Sequence, residues 1–413
     1  TVPPNIMIVL DDSWSMRWNI VYNDGTDGTG RKADPTPMQS NTIRTMYSNF
    51  VANPNYSGWD YGFLAGYLGH PAISLCRGYN LIAYDPRVEY KPWKGWPMAD
   101  SDDLSSNEFN NKSLSTATYY PFRHDEQKGE NCNTGGGGDN PYCFLRCSAS
   151  KCYSTNWNVN PNKKNISDHV YYPWNDADGD GAYDDGECDV SLSGQIKVNS
   201  LPADRSAAST SSGHNCTDPL DDYYNKKECT NTQQNYANWW SYYRRRAFVM
   251  YAAIANLVYD TNAYIGVWGL GPDIYGHMGS IVPLTDASTI EGKKDIQEAL
   301  WKKPLGFPSY TPLNLGINNA ATELDINPNC KSCQHNILIV LTDGIYTDSS
   351  GKSTDNSKEN PFKGSSSNTL ADLAMYWYEQ DLNDPIDNGD LPPFIKRHPA
   401  DTREEPTEPH IRT

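Results

Sequence analysis

Residues 6–16 read Ile6-Met7-Ile8-Val9-Leu10-Asp11-Asp12-Ser13-Trp14-Ser15-Met16. Five apolar residues in succession stop abruptly at two acids. A short continuous apolar run bounded this way is the pattern of a strand buried on both faces; a half-exposed strand would alternate. A second such run, Ile337-Leu338-Ile339-Val340-Leu341, ends in Thr342-Asp343-Gly344, and Tyr264-Ile265-Gly266-Val267-Trp268 is a third. Between them lie helical patterns. Met250, Ile254, Leu257 and Val258 mark one face of a helix expected from about Tyr236 to Tyr259. Ile296, Ala299, Leu300 and Lys303 mark another, and Leu370, Leu373, Ala374 and Trp377 a third, started by Asn368-Thr369. Strands alternating with helices predict a doubly wound α/β fold with a mainly parallel sheet.

The stretch from Arg17 to about Asn235 breaks this alternation. It is rich in Gly, Asn, Asp, Ser, Tyr and Cys and contains Gly135-Gly136-Gly137-Gly138. That is too long for a loop inside a compact domain. It reads as a disulfide-stapled insertion, with strand-like residues in Asn80–Tyr90 around a turn at Asp85-Pro86. The expected division is 1–16 as first strand and start of a site, 17–236 as insertion, and 237–413 as the rest of the α/β domain and an extension. Without the insertion about 190 residues remain, an ordinary domain size.

Composition narrows the function. The 413 residues carry 34 Lys+Arg against 51 Asp+Glu, a formal net charge of −17, which disfavours general nucleic-acid binding and suits cation binding. The 12 Trp, 28 Tyr and 9 Phe require a folded core. No run of about 18 apolar residues spans a membrane. Ten cysteines (76, 132, 143, 147, 152, 188, 216, 229, 330 and 333), crowded into loop-like sequence, favour disulfides and an oxidising compartment. Cys330-Lys331-Ser332-Cys333 has zinc-ligand spacing but lacks a matching second pair. Thr1-Val2-Pro3-Pro4 is not a signal peptide, so an exported chain is expected to have lost its leader.

Two oxygen-rich constellations carry chemistry. Asp11-x-Ser13-x-Ser15 begins where the first buried strand ends, and the carboxyl ends of parallel strands form the binding edge of such sheets. Asp343 ends the second run, and Thr311 of Tyr310-Thr311-Pro312-Leu313 lies in the preceding connection. Two carboxylates and three hydroxyls select a hard cation, Mg²⁺ or Mn²⁺, and neutral hydroxyls leave it positive enough to accept a partner's carboxylate. The second constellation is Asp176-Ala-Asp178-Gly-Asp180-Gly181-Ala182-Tyr-Asp184-Asp185-Gly186-Glu187. Acids stand at positions 1, 3, 5, 9 and 12, with Gly at 6 and the Ala182 carbonyl at 7, which is EF-hand calcium spacing. Its flanks do not read as paired EF-hand helices, so an isolated structural Ca²⁺ loop is expected. The alternative is a solvated acidic turn. Arg244-Arg245-Arg246 is expected on a solvated or ion-paired helix face. The histidines form no zinc-protease pair, and there is no nucleophile elbow or phosphate-binding loop, so no enzyme is expected.

The set Asp11, Ser13, Ser15, Thr311 and Asp343 resembles the metal-ion-dependent adhesion site of the von Willebrand factor A domain. Trp14 stands where that family often has a small residue. Residues 11–16, 80–93, 237–246 and 368–382 together resemble the N-terminal region of the PilC/PilY family of type IV pilus tip proteins. That resemblance implies export to the bacterial surface at the pilus tip, with the periplasm or outer membrane as transit. It also implies work with minor pilins, pilus assembly, twitching motility and adhesion to a host-cell or other surface ligand. In that family a β-propeller with its own calcium loop follows. Here no propeller repeats occur, and the Asp-, Pro- and Glu-rich end after Leu382 reads as part of a longer protein. A force-sensing module, its extension limited by disulfides, is the second reading, and a metal-dependent hydrolase without a committed base the third.

Overall fold

A computed structural model describes residues 3–13, 16, 75–97, 108–118, 147–148, 151–152, 163–164, 166–181, 183–184, 186–189, 191, 193–208, 213–271, 279–302, 311–325, 335–342, 346–357, 363–378 and 411–412. In chain order the strands are β1 (Asn5–Leu10), β2 (Ala117–Thr118), β3 (Cys147–Ser148), β4 (Lys151–Cys152), β5 (Lys163–Lys164) and β6 (Val170–Tyr171). They continue with β7 (Ile196–Lys197), β8 (Tyr264–Trp268), β9 (Ser280–Asp286), β10 (Asn336–Leu341) and β11 (Ile411–Arg412). The helices are α1 (Lys227–Thr230), α2 (Gln233–Tyr242), α3 (Arg246–Asp260), α4 (Ile290–Lys302), α5 (Leu313–Asp325) and α6 (Leu370–Tyr378).

Five strands form one sheet in the order β11-β10-β1-β8-β9. The three apolar runs are its centre. β1 pairs parallel with β10 from Asn5↔Asn336 to Leu10↔Leu341, and parallel with β8 from Asn5↔Tyr264 to Val9↔Trp268. A buried amide pair, Asn5 Nδ2 donating to Asn336 Oδ1 at 2.8 Å, pins the β1–β10 register. β11 pairs parallel with β10, while β9 runs antiparallel to β8 with irregular register. The sequence reading had no β9. Pro283 interrupts its pattern, and a proline cannot donate to a ladder, which confines such a strand to a sheet edge.

All six residues of β1 are buried, and their alternation decides what covers each face. Ile6, Ile8 and Leu10 join Ile265 and Val267 under α3 and α4, with Phe248, Tyr251, Ile254, Val258, Ile296 and Leu300. Met7 and Val9 join Leu338 under α5 and α6, with Leu313, Ile317, Leu324, Leu373 and Trp377. Helices therefore cover both faces of a mostly parallel sheet, as expected of the α/β class. α5 lies very close to the sheet. A Cβ on Gly316 would meet the Leu270 Cα at 2.9 Å, so only glycine permits this approach.

The single helix expected from Tyr236 to Tyr259 is two. α2 ends at Tyr242 with Tyr243 as its C-cap (φ −137°, ψ −8°), and the extended Arg245 (φ −125°, ψ 151°) precedes α3. The arginines at this break are not a solvated face. Arg244 is fully buried and Arg245 nearly so. The Arg244 guanidinium lies 3.9 Å from the Trp240 ring and 4.9 Å from that of Phe248, and donates to the Trp240 carbonyl. A planar, weakly hydrated guanidinium sandwiched by rings tolerates burial that a lysine ammonium would resist.

A second core gathers Leu75, Tyr84, Ala117, Ile166, Tyr171 and Val198 around Tyr236, Ala237, Trp239 and Trp240 of α2. The tyrosine-rich segments thus pack inward. Tyr84 meets Tyr171 and Tyr236 edge-on, at 5.0 Å in each case. Residues 80–90 are turns, not the strand-like segment expected. Asp85 organises them, accepting from the Arg87 backbone N–H at 2.9 Å and from the Arg87 guanidinium at 2.9 and 3.0 Å. Disulfides Cys76–Cys188 and Cys216–Cys229 are present.

Trp93 fastens this region to the sheet domain. It stacks on Trp301 of α4 at 5.7 Å, packs near Phe109 and Phe248, and donates from Nε1 to the Tyr242 carbonyl at 2.9 Å. Next to it, buried Gln297 of α4 accepts from the Trp96 N–H, and Trp301 Nε1 donates to the Trp96 carbonyl, both at 2.9 Å. Trp93→Ala is expected to destabilise the protein by about 3–5 kcal/mol through loss of packing. Urea unfolding measures this, and a change below about 1 kcal/mol contradicts the anchoring role.

Candidate functional sites at the sheet edge and in the acidic loop

Because β1 is covered on both faces, its carboxyl end delivers Asp11 and Asp12 into the protein, both fully buried. A buried carboxylate is costly unless it is hydrogen-bonded. Asp11 Oδ1 accepts from the Ser13 N–H at 2.8 Å, and Oδ2 from the Thr342 hydroxyl at 2.7 Å. Asp12 Oδ1 accepts from the Leu270 N–H at 3.3 Å. Thr342 follows β10 and Leu270 follows β8. The two acids therefore tie together the ends of three adjacent parallel strands.

Thr311 precedes α5. Its N–H donates to the Thr347 hydroxyl at 3.1 Å, and its carbonyl accepts from the Thr347 N–H at 2.9 Å. Asp348 then accepts from the Asn314 and Leu315 N–H groups at 3.2 and 2.8 Å. Those first-turn donors have no partner within the helix, and a carboxylate there also meets the positive end of the dipole. The segment just past Asp343 is thus clamped to Thr311 and the start of α5.

Of the five residues expected at this edge, Asp11 and Ser13 are buried just past β1, and Thr311 is buried ahead of α5 with Thr347 as its hydrogen-bond partner; Ser15 and Asp343 lie outside the described residues. Oxygen-only donors fit a hard divalent cation. Asp12, Thr342 and Asp348 were missed by sequence reasoning. Asp12 is an acid adjoining the run's end, a signal available to it, whereas Asp348 acts on a helix start 33 residues earlier and leaves no local pattern.

The acidic loop is closed at its base. Trp174 and Cys188 form an antiparallel bridge, Asn175 donates to the Glu187 carbonyl at 3.0 Å, and Cys188 is disulfide-bonded to Cys76. Gly179 and Gly181 both take φ +76°, the left-handed conformation that favours glycine, and their N–H groups donate to Asp176 at 2.8 and 3.2 Å. Asp176, Asp178 and Glu187 each offer a carboxylate oxygen within 4.8 Å of the others. Oxygens bound to one calcium at about 2.3–2.6 Å can be about 5 Å apart, so the spacing fits. Asp180 and Asp184 do not join that group, and Ala182 lies outside the described residues.

Glu187 is the buried member of that group of three. Burial alone would raise its pKa. Donation from Trp174 Nε1 at 2.9 Å and from the Asp184 and Ala177 N–H groups at 3.0 and 2.9 Å outweighs burial and holds it below the usual value. The Arg87 guanidinium covers the opposite part of this contact, 5.1 Å from the Trp174 ring.

Similarity to known proteins extends over part of the chain. Over 220 residues, 45% of this chain, it is 27% identical to the type IV pilus biogenesis factor PilY1 of Pseudomonas aeruginosa strain PAK. Over 210 residues, 42% of the chain, it is 25% identical to PilY1 of P. aeruginosa strain PAO1. The chain is PilY1-like in part. The matched regions are only 19% and 18% of those relatives' lengths. No protein-family model and no solved structure matches the chain.

The lowered Glu187 pKa sets a sign for acid sensitivity. Ionised Glu187 favours the closed loop fully above its unfolded value, about 4.3, and the contribution is lost as pH falls through the lower folded value. In chelator, Trp174 fluorescence and amide protection around residues 174–188 are expected to hold at pH 6 and decline below about pH 4. Glu187→Gln is expected to remove that acid-dependent step. An identical acid profile for both proteins would contradict the assignment.

Proposed function

We propose that this chain belongs to a type IV pilus biogenesis factor that acts at the pilus tip as an assembly factor and adhesin. The observation that carries this reading is the similarity to PilY1 over 220 residues. Its partners are then minor pilins or the tip complex, a host-cell or surface ligand, and a further C-terminal domain, a β-propeller by the family resemblance. The location is the exported bacterial surface. Among the described residues no helix is long and apolar enough to cross a membrane, and disulfides are present, which agrees with an oxidising compartment.

In this reading residues 1–16 and 237–413 form a von Willebrand A-like domain, and 17–236 its insertion. Asp11, Ser13, Ser15, Thr311 and Asp343 hold Mg²⁺ or Mn²⁺ at the sheet edge. When bound, the ion supplies a Lewis-acidic position for a carboxylate of the partner. The hydrogen bonds to Asp11 and Asp12 keep the two acids oriented at that edge, and the Thr311–Thr347 pair holds the third segment beside α5. Adhesion through this edge needs no catalytic base, so we read the protein as non-enzymatic.

The second proposed ion is a structural Ca²⁺ held by Asp176, Asp178, Asp180, the Ala182 carbonyl, Asp184 and Glu187. The clustering of Asp176, Asp178 and Glu187 supports it. Calcium is expected to raise protease resistance between about residues 171 and 190, whereas Mg²⁺ alone does not, because it prefers a tighter octahedral shell. Limited proteolysis with mapped cut sites tests this, and identical cleavage in calcium, magnesium and chelator rejects the calcium loop.

A force-bearing role is the second reading. It is favoured by Cys76–Cys188, which joins residues 112 positions apart and so limits how far that stretch extends. Pulling single molecules with and without reductant separates the two readings. For the primary one, deletion in the source bacterium is expected to reduce surface pili and twitching. Asp343→Ala is expected to retain pili but lose metal-dependent attachment. Unchanged piliation and attachment in the deletion strain would overturn the proposal.

A further inference from the structure

A cavity of about 350 Å³ opens between residues 89–92, the start of α2 and Arg205, with none of the residues of the two sites above in its lining. Its volume falls within the range of small-ligand sites, about 300–1,000 Å³. Its backing is rigid. Asn235 accepts from the Tyr90 N–H and donates to the Val88 carbonyl, both at 2.7 Å. Asn238 donates to the Tyr90 carbonyl and to Asn111 Oδ1, both at 2.9 Å. These buried amides are consumed in holding the wall.

The charges inside are unequal. Glu89 is the only carboxylate among the lining residues, and it faces two cations: Arg205 Nη2 at 3.0 Å from Oε1 and Lys91 Nζ at 3.1 Å from Oε2. Arg205 is fixed from outside, lying 4.0 Å from the Tyr224 ring and donating from Nη1 to the Tyr224 carbonyl at 2.5 Å. Its Nη2 is buried, and despite the short contact with Glu89 it has no aligned hydrogen-bond acceptor. One positive charge is left over in a chain of net charge −17, beside the side-chain amides of Gln234 and Asn111 and the Tyr90 ring.

We propose that this cavity binds a carboxylated sugar of the uronic-acid type: its carboxylate meets Arg205 and Lys91, its hydroxyls meet the Gln234 and Asn111 amides, and Glu89 competes as an internal counter-ion. A guanidinium and an ammonium both pair with carboxylates, so the ligand's acid competes with Glu89 for Arg205 and Lys91. An amino sugar would be repelled by the two cations, and a neutral sugar would leave the cation excess unused. The site makes no use of the metal edge, so it is a second contact, separate from that part of the adhesion reading.

Calorimetric titration of the 413-residue chain with glucuronate, glucose and glucosamine at low ionic strength tests the proposal. Glucuronate is expected to bind at least about tenfold more tightly than either other sugar. Lys91 is largely exposed, so Lys91→Ala leaves the fold intact and is expected to weaken glucuronate binding about threefold or more. Glu89→Gln keeps the shape, removes the competing charge and is expected to tighten it by a similar factor. Glucuronate binding no better than glucose, full affinity in Lys91→Ala, or weaker affinity in Glu89→Gln would each overturn the proposal.

Discussion

The burial of β1 on both faces is the constraint from which the rest of the domain follows. Each of its five apolar side chains contributes roughly 1.5–3 kcal/mol on full burial, and that gain requires helices above and below the sheet. Odd and even positions must then find different partners, which is why α3 and α4 lie on one face and α5 and α6 on the other. The same burial carries Asp11 and Asp12 out of solvent. The cost of that burial is offset by donors that Ser13, Thr342 and Leu270 supply from the chain just past β1, β10 and β8. Packing of the strand and chemistry of its end are therefore one arrangement.

The second core obeys different economics. It is built less from aliphatic strands than from tyrosine and tryptophan rings, whose edge-on contacts position polar hydroxyls toward Asn231 and Asn235. Short strands of two residues contribute little on their own, so the Cys76–Cys188 and Cys216–Cys229 bonds matter by limiting the unfolded chain. α2 belongs to this core, whereas α3, just past the buried Arg244, belongs to the sheet. The arginine break turns one hydrophobic stretch into two helices that serve two cores.

The acidic loop sits where these stabilising devices meet. Glu187 receives Trp174, Trp174 lies beneath Arg87, and Arg87 pairs with Asp85, which shapes the 80–90 turns. An ion in that loop would therefore act on the packing of the second core through a half-buried tryptophan, with no helix needing to swing. This differs from an EF-hand sensor, where paired helices open. The base of the loop is a bridge and a disulfide.

What the sequence by itself determined was the part governed by local pattern. Three apolar runs became the central strands, because continuous hydrophobicity has one low-energy use in a sheet covered on both faces. The glycines and acids of residues 176–187 likewise announced a tight, oxygen-rich loop, since left-handed turns favour glycine. Only the tertiary structure decided the rest. Arg244 was expected on a solvated or ion-paired helix face because charge dominates a sequence reading, yet it is buried with its guanidinium against the Trp240 and Phe248 rings. β9 was hidden by Pro283, which is acceptable only at an edge that sequence does not reveal. Asp348 reaches back to the start of α5, and Glu89 meets Arg205 across more than a hundred residues. Such contacts depend on where folded elements come to rest, and a one-dimensional pattern carries no record of that.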